Sequence, residues 1–143
     1  MKSKVYFTSE ITADAVLKLY NKINYKLNGN VCVKVHSGEP GNQNFLRPSF
    51  WKPIINEVKG TVVECNTAYE GKRNTTKAHL ETFKLHGWDV FRVDLLDSEG
   101  PDLVLDIPQG IQIKSNYVGK GLANYDSMLV LSHFKGHPMG GYG

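Results

Sequence analysis

Short β-branched runs alternate with amphipathic stretches along the first two thirds of the chain. Lys4–Thr8 reads as a strand, followed by a helix from Ala13 to Leu27 with Thr12 placed as its N-cap. Val16, Leu19, Tyr20, Ile23 and Leu27 recur at helical spacing and form one apolar stripe, and Gly29 is positioned to end the helix. Val31–Val35 is the next strand. After a loop from His36 to Leu46, Pro48 and Pro53 confine the start of a helix that runs to Lys59, because proline is tolerated in the first turn and not beyond it. Thr61–Cys65 is a third strand, and Ala78–His86 a third helix, capped by Thr75 or Thr76 and stopped by Gly87.

A β-α-β-α-β-α alternation at this spacing predicts a parallel sheet joined by right-handed crossovers. The rhythm then changes. Val90–Asp94, Leu103–Ile107 and Ile111–Lys114 read as strands with no room for helices between them, and Pro108-Gln109-Gly110 as a hairpin turn. Ser127–Ser132 is an unbroken apolar run of the kind found in a central strand covered on both faces. The pattern predicts one three-layer α/β domain over 1–143: a largely parallel sheet, helices on both faces, and an antiparallel hairpin or flap in the second half.

Composition narrows the class. With 41% hydrophobic and 22% charged residues over 143 positions, the chain is ordinary globular material rather than a disordered or fibrous one. No segment approaches the roughly 20 apolar residues of a membrane span, and the N-terminus carries no leader pattern, so a cytoplasmic protein without membrane attachment is expected. The net charge of +3 comes from scattered basic residues, which argues against a nucleic-acid partner. Cys32 and Cys65 are the only cysteines, too few for a disulfide framework, a zinc site or an iron–sulfur cluster within this sequence. The sequence closes on Met139-Gly140-Gly141-Tyr142-Gly143, inside a glycine-rich loop, and reads as a domain cut short at its C-terminus.

In open parallel sheets ligands bind beyond the carboxyl ends of the strands. The strand exits here are rich in chemistry: Lys34, His36 and Glu39 after the second strand, Glu64 and Asn66 after the third, and His133, Lys135 and His137 after the last. Glycines in the final loop, Gly140 and Gly141 among them, let backbone N–H groups approach a ligand. His133 and His137 have the spacing of a metal pair, but Gly136 and Pro138 prevent the helix that would align them, so no metal ligand set is assigned. Glu64 suits a general base, a metal ligand or a cap. Glu39 and Arg47 are either solvated loop charges or, for Arg47, an anion clamp. Cys32 and Cys65 read as buried small hydrophobes, and Lys72-Arg73 as a solvated turn.

Val33–Gly41, Glu64–Tyr69 and above all Leu131–Gly143 resemble the domain-of-unknown-function-362 family of bacterial and archaeal proteins. Members of that family commonly continue into a ferredoxin-like module holding two [4Fe–4S] clusters. The resemblance therefore implies an iron–sulfur redox protein, with the clusters in a module in cis beyond this segment. The His-x-x-x-His-x-x-Gly-Gly loop, taken with Arg47-Pro48, is also similar in layout to the nickel-dependent lactate racemase family, although the aspartate that usually precedes the Arg-Pro pair is absent.

The expectation is thus a domain that binds a small anionic ligand or cofactor. Lys34, His36, Glu39, Arg47, Asn66, His137, Gly140 and Gly141 would bind it, and His133, Lys135 and Glu64 would carry any chemistry. A metal-dependent isomerase or hydrolase and a non-catalytic scaffold are the alternatives.

Overall fold

The computed structural model describes residues 2–100 and 102–143. In chain order the elements are α1 (Ala13–Ile23), β1 (Val31–Lys34), α2 (Pro48–Val58), β2 (Thr61–Glu64), α3 (Thr76–Leu85), β3 (Val93–Leu95), β4 (Leu103–Asp106), β5 (Ser115–Val118), β6 (Ser127–Val130), β7 (Gly136–His137) and β8 (Gly141–Tyr142), with 3-10 turns at Trp88–Val90 and Lys120–Asn124. β1, β2, β3 and β6 form a parallel sheet in the order β3-β2-β1-β6, while β4–β5 and β7–β8 are antiparallel pairs. The α/β class, the parallel sheet and the antiparallel hairpin all follow the sequence pattern. Among the described residues, no helix is long and apolar enough to cross a membrane.

The pleat sorts the strands into two faces. Val33, Val35, Val62, Leu95 and Leu131 point to one, where Trp51, Ile54 and Ile55 of α2 pack with Phe83 and Trp88 into the main core and α1 adds Val16, Leu17 and Tyr20. Cys32, Val63 and Leu96 point to the other, under Leu122 and Tyr125 of the 3-10 segment. The unequal cover follows from handedness: β1-α2-β2 and β2-α3-β3 step the same way across the sheet, so right-handed crossovers put both helices on one side. Gly119 lets the 3-10 segment approach β3's end, since a Cβ there would stand 2.3 Å from the Leu96 carbonyl.

Several boundaries differ from the sequence reading. Lys4–Thr8 forms no strand: Val5 is 89% and Phe7 87% exposed, and β propensity without a neighbouring strand to pair with orders nothing. α1 is capped by Thr12, whose Oγ1 accepts the Ala15 N–H, but stops at Ile23 because Asn24 takes the left-handed conformation at φ 51° ahead of Gly29. Thr75 rather than Thr76 caps α3, accepting the Ala78 N–H. Val90 ends a 3-10 turn, so β3 begins only at Val93. The strand expected at Ile111–Lys114 is instead the loop joining β4 to β5, because the ladder closes at Asp106 and Ser115. Finally, β6 is an edge strand of the described sheet, with Met128 and Val130 exposed on one face, rather than a central strand. Its run of apolar residues continues into Leu131, which joins the core from beyond the last paired position.

Candidate functional site

β1 is where the chain's direction across the sheet reverses: β2 and β3 lie on one side of it and β6 on the other. At such a switch point the loops leaving two neighbouring strands run apart and leave a crevice at their carboxyl ends. A cleft of about 470 Å³ lies there, lined by Lys34, Val35 and His36 from β1's exit, Glu64, Cys65, Thr67, Tyr69 and Arg73 from β2's, and Val130, Leu131, Ser132, His133, Lys135, His137 and Gly143 from β6's.

The inner wall is a buried ionic network. Glu64 ends β2 and is only 4% exposed, so its carboxylate needs compensation. Oε1 accepts from Arg73 Nη1 at 2.7 Å, and Oε2 faces His79 Nε2 at 3.1 Å and accepts the Ser37 N–H at 3.1 Å. Arg73, 5% exposed, also donates to Glu39 from Nη2 and, at 2.9 Å, from Nε. His79, wholly buried on the sheet-facing side of α3, stacks on Phe83 one turn later, and its Nδ1 lies 3.3 Å from Asn66 Oδ1. Asn66 is itself fixed by the Asp97 carboxylate, which accepts its backbone N–H, and by donating to Thr76.

Burial alone would push the Glu64 carboxyl up. The hydrogen bonds from His79 and Ser37 and the charge of Arg73 outweigh it and hold the group at about 2. Ionised and engaged on both oxygens, Glu64 is a poor proton acceptor at neutral pH and a good anchor for the wall. The hydrogen bond from Arg73 likewise holds Glu39 below the usual carboxylate range. Burial pushes the His36 imidazole below its ordinary value against the pull of Glu64, whose Oε1 lies 3.8 Å from Nδ1.

The outer wall is the glycine-rich segment after β6. It is tied by the two-residue β7–β8 ladder and by reciprocal backbone bonds between Lys135 and Gly143 at 2.9 and 2.8 Å. The His133 ring stands 6.4 Å from that of His36, and its Nδ1 is buried with no partner among the described residues. Lys34 Nζ donates to the Val35 carbonyl at 2.6 Å, which leaves two of its N–H groups uncommitted.

Of the residues singled out in the sequence, Lys34, His36, Glu64, His133, Lys135 and His137 line this one cleft. Glu39 stands behind it, holding Arg73, and Asn66 stands behind His79. Gly140 ends the β7–β8 turn and Gly141 opens β8, and neither lines the cleft. Arg47 is outside it altogether, donating to Gln43 and stacked 4.0 Å from the Phe45 ring. Two readings change. Arg73 is a buried ion-pair partner rather than part of a solvated turn, because Glu64 needs a cation. Cys65 is exposed at the cleft rather than buried, since it lies one residue past the end of β2, whereas Cys32 is buried as expected.

Ser37, Arg73 and His79 carry the network and were not assigned to the site by the sequence. A glutamate ending a short β-branched strand, Thr61-Val62-Val63, is the signal for a cation elsewhere to meet it, and His79 falls on the same helical face as Thr82 and Phe83. Among the described residues, no three His, Cys, Asp or Glu side chains converge on a metal position. Two cysteines, one buried in β1 and one at the cleft, do not fit the four thiolates of a [4Fe–4S] cluster.

No curated protein and no solved structure matches the chain. A family match described as Domain of unknown function (DUF362) covers residues 31–143, a span that takes in every strand and every residue lining the cleft. The chain belongs to the DUF362 family.

Proposed function

We propose that this chain is the ligand-binding α/β domain of a cytoplasmic, redox-associated iron–sulfur protein. The cleft between β1 and β6 takes a small anionic ligand or cofactor, Lys34 and Lys135 supply its positive charge, and His133 and Lys135 stand nearest the ligand's reacting atoms. The [4Fe–4S] clusters belong to a ferredoxin-like module in cis, outside the residues described.

The single observation that supports the anion reading is the placement of the cleft at the sheet's switch point, with Lys34 and Lys135 in its lining and the Glu39 and Glu64 carboxylates both engaged by Arg73. The redox part of the reading rests on what the resemblance to the family implies, the match itself being to a domain of unknown function.

Calorimetric titration with inorganic phosphate and with oxalate tests the first part. Saturable binding weakened about tenfold by Lys34→Ala and by Lys135→Ala is expected, a charge-assisted contact being worth about that factor. No binding, or binding indifferent to both substitutions, favours the scaffold alternative. Iron and sulfide analysis of the product of the full reading frame tests the second part, and an iron-free protein would refute it.

A further inference from the structure

Two of the histidines lining the cleft, His36 and His137, are fixed in their tautomers by the backbone. The Gly38 N–H donates to His36 Nδ1 at 3.1 Å, and the N–H groups of Met139 and Gly140 donate to His137 Nδ1 at 3.2 and 3.1 Å. A ring nitrogen that accepts an N–H bond offers its lone pair and carries no proton, so in both rings the proton sits on Nε2. For His36 the arrangement is enforced by Gly38, whose φ of +91° and closeness to Phe45, 2.6 Å from any added Cβ, exclude a side chain there.

This polarity is the reverse of the one that ligation through Nε2 requires, and Nδ1 is itself taken by the backbone donors. A ligating imidazole gives one lone pair to the metal and donates its other N–H to an acceptor. In His36 and His137 that second nitrogen instead meets donors, and ligation through Nε2 would leave the ring with no proton at all.

The remaining polar groups point the same way. Both Glu64 oxygens are engaged by Arg73, His79 and Ser37, and Glu39 Oε1 accepts from Arg73 and Tyr69. Uncommitted among the side chains lining the cleft are the donors of Lys34 and Lys135 and the two Nε2–H groups, beside the Ser132 hydroxyl and the Cys65 thiol. His133 is the one ring there whose tautomer no hydrogen bond sets.

We infer that the cleft is a donor-lined oxyanion site, in which Nε2–H of His36 and of His137 joins Lys34 and Lys135 in binding a carboxylate- or phosphate-type group, and that neither histidine is a metal ligand. The inference rests on the anion reading above and names the atoms and the ligand class.

Long-range proton–nitrogen spectra of the imidazoles, recorded during titration with phosphate, oxalate and zinc ions in turn, provide the test. Both rings are expected as the Nε2–H tautomer, shifted by the anions and unshifted by zinc. Glutamine places its amide N–H₂ near the position of Nε2 and asparagine near that of Nδ1. His36→Gln and His137→Gln are therefore expected to keep oxyanion affinity within about threefold, and the Asn variants to lose about tenfold. Nδ1–H tautomers, equal affinities for the Gln and Asn variants, or a saturable zinc shift at these rings would overturn the donor assignment while leaving anion binding intact. Failure of both anions to bind would bring down the binding reading and this one together.

Discussion

The two walls of the cleft are held in place by different physics. On the inner side Glu64, Arg73 and His79 are almost without solvent contact and are fastened to one another, to Ser37 and to the main core through Phe83. On the outer side the segment from Ser132 to Gly143 is held by a two-residue ladder and a tilted Phe134–Tyr142 contact, with these rings 75% and 70% exposed. The inner wall is therefore part of the fold's stability, whereas the outer wall adds polar groups to the cleft at little cost to the fold. Substitutions on the two sides should separate into effects on folding and effects on binding.

The largest effect is expected at Arg73. Its replacement by Met leaves Glu64 buried without its cation, which should cost roughly 3–5 kcal/mol in urea denaturation. A loss below about 1 kcal/mol would remove the inner wall's claim to be structural.

Acid comes next. Glu64 is held at about 2 against an ordinary value of 4.5, so its stabilisation is fully present above pH 4.5 and lost as pH falls towards 2. Urea midpoints at pH 3 should correspond to a loss of roughly 2 kcal/mol relative to pH 7 from this group alone. His36 adds to the trend in the same direction. Its folded value is lowered, so stability is present above its ordinary 6.5 and erodes as pH falls below it. A Glu64→Gln variant whose acid profile matches the wild type would contradict this assignment.

The smallest effect is expected on the outer wall. Phe134→Ala should change stability by no more than about 0.5 kcal/mol, because so little of the ring is covered. A larger change would mean that the two walls are energetically one unit.

The contrast also explains what could be read from the amino acids. β1, β2, α2 and α3 were legible because Val31–Val35 and Thr61–Cys65 are short β-branched runs in a β-α alternation, and because Pro48 and Thr75 mark helix starts. Strand exits were legible as a site for the same topological reason, which is why Lys34, His36, Glu64 and His133 were found together. Arg73 and His79 were not, since their roles depend on which helix face and which loop turn inward to meet Glu64, a fact of tertiary packing. Lys4–Thr8 misled in the opposite way, having strand-like residues and no strand beside it. The position of β6 at an edge depended on strand order, which residue patterns do not encode.

The central claim is that both walls converge on one anion. Backbone amide spectra followed during oxalate titration test it most directly. The account predicts saturable shifts at residues 34–38 and 132–137 with a single affinity, abolished together in a Lys34→Ala, Lys135→Ala double variant that remains folded. Shifts confined to one wall, or unchanged by the double substitution, would contradict it.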